Sequence, residues 1–417
     1  MQDSTVAVAG GGLAGLTAAR RLADAGANVT VFERRETVGG RVRTDRVDGF
    51  TLDRGFQVLF TAYPAARREL DLDALELRRY APGATICRPN HRAVLADPLG
   101  DPRAAVETLL NRDATLRDKV RILRLRRALA GRSPADIFDG PDQSIRAFLD
   151  DWGFSERIVE NFFAPFYGGI TLDRSLGTSA AVFEFTFAML AAGDAAVPVD
   201  GMGAIPEQMA ETARDAGATV ETNAAVTALD GTTLTVDGET VDADAVVVAT
   251  DPPTARDLTG VEAIPTDGRG CVTQYYRFPG SFSLDAGKRL LLNAGENGPN
   301  HVAPHSAVAP GHAPDDATLV SATYLGDAPD ADELRARSVE ALRSWFPERQ
   351  VPDPEVVRTD RIPFAQFAQP PGFYRDGPAA RTPEGAVYLA GDYTHDSSIN
   401  GAIESGRAAA AALRGDR

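Results

Sequence analysis

Residues 5–44 constrain the fold most strongly, because they read as strand, glycine turn, helix, strand and a second glycine turn that ends in arginine. The first strand is apolar and stops at the pattern Gly10-x-Gly12-x-x-Gly15. Gly10 permits the tight turn out of the strand, Gly12 lets the backbone approach a pyrophosphate, and Gly15 lets the next helix pack closely on the sheet. That helix begins with unpaired N–H groups and a positive dipole end, so the turn predicts a dinucleotide phosphate site.

A carboxylate ends the second strand at a spacing typical of ribose recognition. Glu33 lies 18 residues after Gly15, close to the separation of about 20 residues at which an acid accepts hydrogen bonds from ribose hydroxyls. This favours an unphosphorylated ribose, as in FAD or NAD. A glycine turn alone is weak evidence, because left-handed backbone also needs glycine. Here strand, turn, helix, strand and acid follow one another in the order and at the spacing that the motif requires.

Length and composition favour a globular chain of two domains. The chain has 417 residues, too many for one simple core, and 43% of them are hydrophobic. The most apolar strand, residues 245–249, is far shorter than the roughly 18 residues that a membrane span needs. The N-terminus has no basic leader and enters the first strand almost at once, so we expect no signal peptide and a cytoplasmic location.

Cysteine and histidine give no sign of a metal site. Cys87 and Cys271 cannot build a disulfide framework, which suits a reducing compartment. The five histidines stand in none of the spacings typical of zinc enzymes, so no metal is predicted.

The charge balance is strongly acidic. Asp and Glu number 59 against 43 Lys and Arg, the formal charge is −16, and only two of the basic residues are lysines. Binding to a nucleic-acid backbone needs a concentrated basic face, so we expect no nucleic-acid partner. A shell of carboxylates with almost no lysine predicts adaptation to high salt, where screening suppresses self-repulsion. The alternative is a codon bias toward Arg, Ala, Gly and Asp.

The only basic block in this acidic chain has helical spacing. In Leu116–Leu129 two apolar rows alternate with arginine and lysine. One interpretation is a helix that lies on an anionic membrane surface and admits a lipid-like substrate, which would make the protein peripherally membrane-associated. The alternative is an ordinary helix of a substrate domain whose arginines pair with surrounding acids.

The middle of the chain supplies aromatic residues for a substrate cavity. Residues 142–169, around Phe162, form the most aromatic segment, and residues 361–374, around Phe364, combine aromatics with prolines. Both segments suit a cavity wall as well as a packed core.

Three further patterns concern secondary structure. The apolar run 243–249 has few polar breaks, so it should rejoin the first parallel sheet. The pattern from Tyr63 to about residue 85 is helical. Residues 295–316, rich in Gly, Pro and His, are typical of a surface loop.

A third block of cofactor signals stands near the C-terminus. A strand over residues 386–390 meets Gly391-Asp392, and an alanine-rich helix begins near Gly401. Asp392, directly after a strand-ending glycine, can reach the hydroxyls of a polyol chain. The N-terminus of the helix, beyond Asn400, can stabilise negative charge on the pyrimidine side of a flavin.

These separated blocks resemble the superfamily of FAD-dependent oxidoreductases that includes flavin amine oxidases, protoporphyrinogen oxidase and phytoene desaturases. The resemblance spans nearly the whole chain and rests on the first glycine turn with Glu33, Gly39-Gly40-Arg41, residues 243–250, Gly391-Asp392 and residues 398–406. It implies an α/β fold, with a Rossmann-like FAD-binding domain of the glutathione-reductase type and an inserted α+β substrate domain. The FAD-binding domain would comprise residues 1–62, 198–262 and 382–417, and the substrate domain residues 63–197 and 263–381.

The resemblance also implies roles for single residues. Arg41 would lie near the pyrophosphate, the backbone around Val226 would meet the adenine, and Asp392 would bind the ribityl chain. No cysteine lies near the C-terminal motif, so we expect a dissociable, non-covalent FAD. The expected cofactor-binding residues are Gly10, Gly12, Leu13, Ala14, Gly15, Glu33, Arg34, Gly40, Arg41, Gly55, Phe56, Val226, Thr250, Gly391, Asp392 and Ile399.

Within the superfamily, residues 161–170, 199–210 and 361–374 are most similar to the desaturase and protoporphyrinogen-oxidase branch. We therefore expect dehydrogenation of a hydrophobic, polyene-like substrate by hydride transfer to FAD. Amine oxidases generally hold a lysine beside the flavin, and this chain offers only Lys119 and Lys288, neither in a matching context. The alternatives are an amine or porphyrinogen oxidase that uses oxygen, and a non-catalytic binding protein such as the prenyl-protein escorts called GDP-dissociation inhibitors.

No residue stands out in the sequence as a general base. His395 and Asp396, just past Gly391-Asp392, are candidates to approach the flavin. The alternative is that both are polar residues that cap the loop.

Overall fold

The computed structural model describes residues 1, 4–96, 107–108, 111–284, 286–295, 297–382 and 385–415. Its helices are α1 Leu13–Ala23, α2 Pro64–Glu69, α3 Leu116–Leu129, α4 Pro134–Phe138, α5 Ile145–Asp151, α6 Glu156–Ile158, α7 Ala164–Thr171, α8 Ala180–Ala192, α9 Ala204–Asp215, α10 Pro252–Thr259, α11 His305–Val308, α12 Ala331–Trp345, α13 Phe373–Asp376 and α14 Ile399–Gly415. A π-helical turn at Val159–Phe163 joins α6 to α7, and short 3₁₀ turns lie at Pro310–His312 and Asp392–Thr394.

The strands follow in the same chain order. They are β1 Thr5–Ala9, β2 Asn28–Glu33, β3 Thr44–Val47, β4 Phe50–Asp53, β5 Leu59–Phe60, β6 Arg78–Arg79, β7 Ala84–Arg88, β8 His91–Leu95, β9 Ala195–Val197, β10 Thr219–Thr222, β11 Val226–Asp230, β12 Thr233–Val236, β13 Glu239–Asp242, β14 Ala245–Val248, β15 Gly268–Pro279, β16 Leu290–Asn293, β17 His301–Ala303, β18 Ala317–Leu325, β19 Glu355–Phe367 and β20 Val387–Leu389.

A five-stranded parallel sheet contains the first strand of the chain at its centre. The strand order is β10–β2–β1–β14–β20, and Val8 of β1 pairs with Val31 on one side and Val247 on the other. Every residue of β14 is fully buried. A strand covered on both faces needs apolar side chains at each position, without alternation. The prediction that residues 243–249 rejoin the first sheet is therefore confirmed.

Helices cover one face of the parallel sheet and a small antiparallel sheet covers the other. α1, α9 and α14 pack small apolar residues against β1 and β14. A Cβ on Gly15 would overlap the carbonyl oxygen of Gly10, so α1 packs directly on the turn that follows β1. A Cβ on Gly406 would overlap the carbonyl oxygen of Ala14, so α14 and α1 are in backbone contact. On the opposite face, β11–β12–β13 contributes Leu234 and Val236 to the core.

A seven-stranded sheet, ordered β19–β15–β18–β17–β16–β7–β8, forms the second large element. Its neighbours are antiparallel except for β16 and β7, and α12 packs on it through Leu342 and Trp345. The register of β19 against β15 shifts between the pairs Arg269–Gln366 and Cys271–Ile362, so residues 363–365 bulge out of the ladder. A proline in a strand is tolerated at such an edge bulge, which turns neighbouring side chains toward a cavity.

Helices α3 to α8 surround an aromatic cluster beside these sheets. Phe154, Phe163, Tyr167 and Phe183 lie in its buried core. The π-helical turn before Pro165 adds a residue to the helix and changes the direction of the side chains that follow. The predicted aromatic segment therefore contributes to a core as well as to a cavity.

Two secondary-structure predictions are wrong. The helix predicted from Tyr63 to about residue 85 ends at Glu69, because Asp71 then accepts hydrogen bonds from two backbone amides and the chain continues into β6 and β7, which pair with distant strands. Residues 295–316 are not a plain surface loop. They contain β17, which pairs with both β16 and β18, and they bury His301, His305 and His312.

The domain bounds stay a prediction. The parallel sheet draws its strands from residues 5–33, 219–248 and 387–389, and the seven-stranded sheet from residues 84–95 and 268–367. Among the described helices, none combines the length and the apolar composition needed to cross a bilayer.

Candidate functional site

A cavity of about 1120 Å³ opens at the carboxyl ends of β1, β2, β14 and β20. In open parallel sheets, ligands bind at this edge, where the strand order reverses. The volume exceeds the range of about 300–1,000 Å³ that is usual for a single small molecule, so the cavity has room for a cofactor and a substrate. All predicted cofactor residues except Gly15 line it, namely Gly10, Gly12, Leu13, Ala14, Glu33, Arg34, Gly40, Arg41, Gly55, Phe56, Val226, Thr250, Gly391, Asp392 and Ile399. Their contact with the cofactor stays a prediction.

The first glycine turn has the shape of a phosphate cradle. Gly10 has φ +110° and no space for a side chain, because a Cβ would lie 2.5 Å from the carbonyl oxygen of Ala249. Gly12 differs, since its φ of −79° is ordinary and a Cβ would meet only Gly40 Cα, at 3.9 Å. Nothing in the protein itself therefore requires glycine at this position. The missing side chain leaves space in the cavity at the N-terminus of α1, where no side chain caps the helix and no acid lies in the first turn.

Glu33 is held rigidly at the edge of this cradle. Its carboxylate accepts hydrogen bonds from the backbone N–H of Gly11 at 2.9 Å and of Arg35 at 3.0 Å, one to each oxygen. The residue is 3% exposed. An ionised carboxylate has about four acceptor positions, so each oxygen keeps capacity for another donor. These contacts fit the predicted role of binding ribose hydroxyls.

Arg41 and Asp392 come from opposite ends of the chain and form one ion pair. The Arg41 guanidinium lies 2.5 Å from the carboxylate of Asp392 and also donates to the carbonyl of Ala365 at 3.2 Å. Burial works against the charge of Arg41, but the charge and hydrogen bond of Asp392 outweigh it and raise the pKa of Arg41. The hydroxyl of Ser397 donates to the second oxygen of Asp392 at 3.2 Å. Arg41, predicted to lie near the pyrophosphate, and Asp392, predicted to bind the ribityl chain, are thus joined by a direct ion pair.

The start of α14 also faces the cavity, but its neighbours His395 and Asp396 do not line it. Ser397, Ser398 and Ile399 form the wall there. Asp396 is buried and accepts a hydrogen bond from the hydroxyl of Ser398, which in turn caps the backbone N–H of Gly401. Burial raises the pKa of Asp396 to about 7, and the charge of Asp392 adds to this rise. Asp396 therefore stabilises the start of α14 through Ser398. This fits the alternative in which His395 and Asp396 are polar residues that cap the loop.

Beyond the glycine turns, the cavity continues between aromatic side chains. Phe162 and Phe166 stack with their ring centroids 5.3 Å apart and an angle of 13° between the planes. The apolar wall is completed by Phe163, Tyr167, Ile170, Phe187 and Leu190. The β19 bulge adds Phe364 from the other side, as the sequence predicts for a cavity wall.

His301 is a cavity residue that sequence reasoning missed. Its ring packs against Phe56 at a centroid distance of 4.9 Å, and burial lowers its pKa to about 4, so it is neutral near pH 7. The amide nitrogen of Asn300 donates to the carbonyl of Pro165 at 2.9 Å and lies 3.2 Å from Nδ1 of His301. Nδ1 is therefore the acceptor and Nε2 carries the proton.

Polar atoms beside Phe56 have no partner among the described residues. They are Nε2 of His301 and the hydroxyl of Tyr80, whose rings both pack edge-on against Phe56. The only sequence signal for His301 was a polar residue at the start of a three-residue strand, which is too short to recognise.

The acids on the wall already have partners. Glu33 is held by backbone amides, Asp392 by Arg41, Asp251 by Arg34 at 3.4 Å, and Asp194 by Arg79 at 3.0 Å. These four are the acids among the described lining residues. Lys119 lines the cavity from α3, and Lys288 does not line it.

Comparison with known protein sequences gives matches over most of the chain. Residues 13–414 match the family model described as flavin containing amine oxidoreductase. Phytoene dehydrogenase of Streptomyces griseus is 32% identical over 259 residues, which is 54% of this chain and 49% of that protein. The carotenoid 3,4-desaturase of Haloarcula japonica is 49% identical over 55 residues, 13% of this chain and 11% of that protein. Each of these two matches spans less than half of the relative's length.

Solved structures share the fold at low sequence identity. A provisionally named protoporphyrinogen oxidase from Exiguobacterium sp. 255-15 has a TM-score of 0.73 at 18% identity, with all of both chains covered. A double mutant of putrescine oxidase has a TM-score of 0.73 at 21% identity, with 99% of both chains covered. These likenesses confirm the predicted α/β fold with its Rossmann-like domain.

Proposed function

Because the chain belongs to the family of flavin containing amine oxidoreductases, we propose that it dehydrogenates a hydrophobic substrate, a carotenoid-like or other isoprenoid polyene, by hydride transfer to FAD. Membership makes the chain an FAD-dependent oxidoreductase, as the sequence predicts, and a non-catalytic escort is no longer an alternative. The substrate class is the part that we add.

One observation carries this proposal: the cavity joins a polar half to an apolar, aromatic half. The polar half contains the glycine cradle and the Arg41–Asp392 pair, and its acids are already engaged. The apolar half presents stacked rings, with Phe162 and Phe166 at its centre. An ammonium group must be compensated by a carboxylate, by hydrogen-bond acceptors or by an aromatic cage, whereas a conjugated hydrocarbon needs only apolar surface and exclusion of water.

The chain's own residues divide the work between holding the cofactor and positioning the substrate. Bound FAD would supply the acceptor for both hydrogens removed in forming a double bond, one as a hydride and one as a proton. The N-terminus of α1 and Arg41 would hold its phosphates, Glu33 its ribose, and Asp392 its ribityl chain. The aromatic wall would hold the substrate by apolar contact and keep water from the reacting carbon.

His301 would orient a ligand on this wall. Its Nε2 carries a proton and has no partner among the described residues, so it can donate a hydrogen bond but cannot take up a proton at that atom. We therefore assign it no role as a general base.

The names of the relatives support a polyene substrate. Phytoene dehydrogenase and the carotenoid desaturase are named for this class, although their matches span less than half of their own length. An oxidase that acts on an amine or a porphyrinogen and passes electrons to oxygen is the alternative. Structures of both kinds share the fold, but fold alone does not select a substrate.

Anaerobic reduction of the bound flavin tests the proposal. The protein is purified in high salt, its flavin spectrum is recorded, and bleaching is followed with detergent-dispersed polyenes, porphyrinogens and amines. We expect polyenes to bleach the flavin, while free FAD under the same conditions stays oxidised. Bleaching by amines or porphyrinogens alone would contradict the proposed substrate class.

A further inference from the structure

Helix α3 presents an unusual outer surface. Leu116, Val120 and Leu123 are 70%, 43% and 50% exposed, and they are the exposed large hydrophobic residues of the described chain. Their spacing of four and three residues places them within about 60° of arc on the helix. Leu125 and Leu129 lie on the opposite face and are buried in the aromatic core. The exposed stripe is therefore a separate face of the helix, opposite the face that packs into the aromatic core.

The stripe is flanked by cations on both sides. The helix carries six basic residues and one acid, Asp118, in a chain whose formal charge is −16. Arg117, Arg124 and Arg127 are exposed and form no ion pair with any described residue. The alternative in which the arginines of α3 pair with surrounding acids therefore finds no described acid for these three. Positive charge that has no described acidic partner, on one helix of an acidic protein, favours an anionic partner.

The same helix borders the cavity. Leu116, Val120 and Leu123 line it together with Ile122 and Arg126, so the exposed stripe is continuous with the apolar, aromatic half of the cavity. The helix is also fixed in place at its start. The buried carboxylate of Asp118 accepts hydrogen bonds from the backbone N–H and the hydroxyl of Ser155, at 2.9 and 2.7 Å.

We propose that α3 docks the protein on an anionic lipid bilayer, with the stripe of Leu116, Val120 and Leu123 among the acyl chains and the arginines among the headgroups. The arrangement has the properties of an interfacial helix, a narrow apolar face with basic residues beside it. The acidic remainder of the chain is repelled by the same surface, which turns α3 toward the bilayer. Docking would bring the cavity mouth against the acyl region. That the bilayer supplies the substrate rests on the proposed function, whereas docking itself does not.

Vesicle binding by the flavin-loaded full chain tests the proposal. Binding is measured by co-sedimentation with vesicles of phosphatidylcholine alone and of phosphatidylcholine with phosphatidylglycerol, in the lowest salt at which the wild type keeps its flavin. We expect a clear preference for the anionic vesicles. Each basic residue near such a surface contributes roughly a factor of five in affinity, so R117Q/R124Q/R127Q should weaken anionic binding on the order of 100-fold.

Two further variants separate the contributions. L116S/V120S/L123S should abolish binding to both kinds of vesicle while the flavin spectrum and melting temperature stay as in the wild type. R214Q/R335Q/R414Q removes the same charge from α9, α12 and α14 and should bind nearly as well as the wild type, with only the small loss expected from the more negative net charge. Failure of the wild type to bind anionic vesicles, or equal loss in both arginine triples, would overturn the proposal.

Two other results would be equally clear. If the wild type is a dimer and L116S/V120S/L123S converts it to a monomer, a second copy of the chain covers the stripe. That result would overturn docking on a bilayer. If detergent-dispersed polyene bleaches the flavin but vesicles are not bound, the docking is refuted and the proposed function stands.

Discussion

The substitution Gly12→Ala separates cofactor binding from folding. In the protein alone, the new Cβ would meet nothing closer than 3.9 Å and the backbone φ of −79° suits alanine. As the N-cap of α1, alanine in place of glycine should cost roughly 0.5–1 kcal/mol in the free energy of unfolding. The same Cβ would occupy the space where a phosphate must approach the N-terminal amides.

The loss of affinity follows from the contacts that the phosphate would give up. Displacement from two charge-assisted hydrogen bonds, at about 1.5 kcal/mol each, amounts to about 3 kcal/mol. This corresponds to a weakening on the order of 100-fold in the Kd for FAD. The assay is titration of the flavin-free protein with FAD, read by quenching of flavin fluorescence, alongside a thermal melt of the flavin-free chain.

Two other glycines provide the controls. Gly311 lies in a 3₁₀ turn where an added Cβ would have open space within 4 Å, so Gly311→Ala should change neither FAD binding nor the melt. Gly10→Ala should lower the melting temperature of the flavin-free chain, because a Cβ there would lie 2.5 Å from the Ala249 carbonyl oxygen at a φ of +110°. If Gly12→Ala binds FAD within about threefold of the wild type, less than about 0.7 kcal/mol, the phosphate does not lie at the start of α1 and the reasoning is refuted.

Asp392→Asn should weaken FAD binding about tenfold, because it removes the charge that orients Arg41, and unchanged affinity in the same titration would contradict this role. Phe162→Ala combined with Phe166→Ala should lower kcat/KM for a polyene without releasing FAD, and release of FAD would show that these rings contact the cofactor instead. The folded-state pKa of Asp396, raised to about 7 by burial, means that the folded protein binds an extra proton between about pH 4 and 7. The free energy of unfolding should therefore fall by about 4 kcal/mol across that window, and denaturant titrations of Asp396→Asn should show a correspondingly weaker decline, whereas parallel pH profiles would contradict the assignment. Removal of salt should destabilise this acidic chain, and indifference of the melting temperature to salt would contradict adaptation to high salt.

The cofactor half of the cavity was largely predictable from the sequence, because its parts are local. Gly10, Gly12 and Glu33 stand at fixed distances around one strand–helix–strand unit, and each spacing has a backbone or hydrogen-bonding cause. Gly391-Asp392 follows a strand in the same way. Parallel strands place their carboxyl ends at one edge, so these separate turns meet without any further information from the sequence.

The substrate half depends on contacts between distant segments, and the sequence was less informative there. His301 reaches the wall because the short β17 inserts between β16 and β18, and three residues show no periodicity. Asn300, the partner that fixes its tautomer, donates a hydrogen bond to the carbonyl of Pro165 on helix α7. On α3, the spacing of apolar residues predicted the helix, but only the tertiary structure shows which apolar row is buried and that Arg117, Arg124 and Arg127 lack described acidic partners.

A stoichiometric single turnover tests the central claim most directly. The flavin-loaded protein is mixed anaerobically with a detergent-dispersed polyene, and flavin bleaching is compared with the number of carbon–carbon double bonds formed in the recovered polyene. Hydride transfer from substrate to FAD predicts one new double bond for each flavin reduced. Bleaching without a new double bond, or an oxidised flavin at saturating polyene in a preparation that an amine or a porphyrinogen bleaches, would contradict the account.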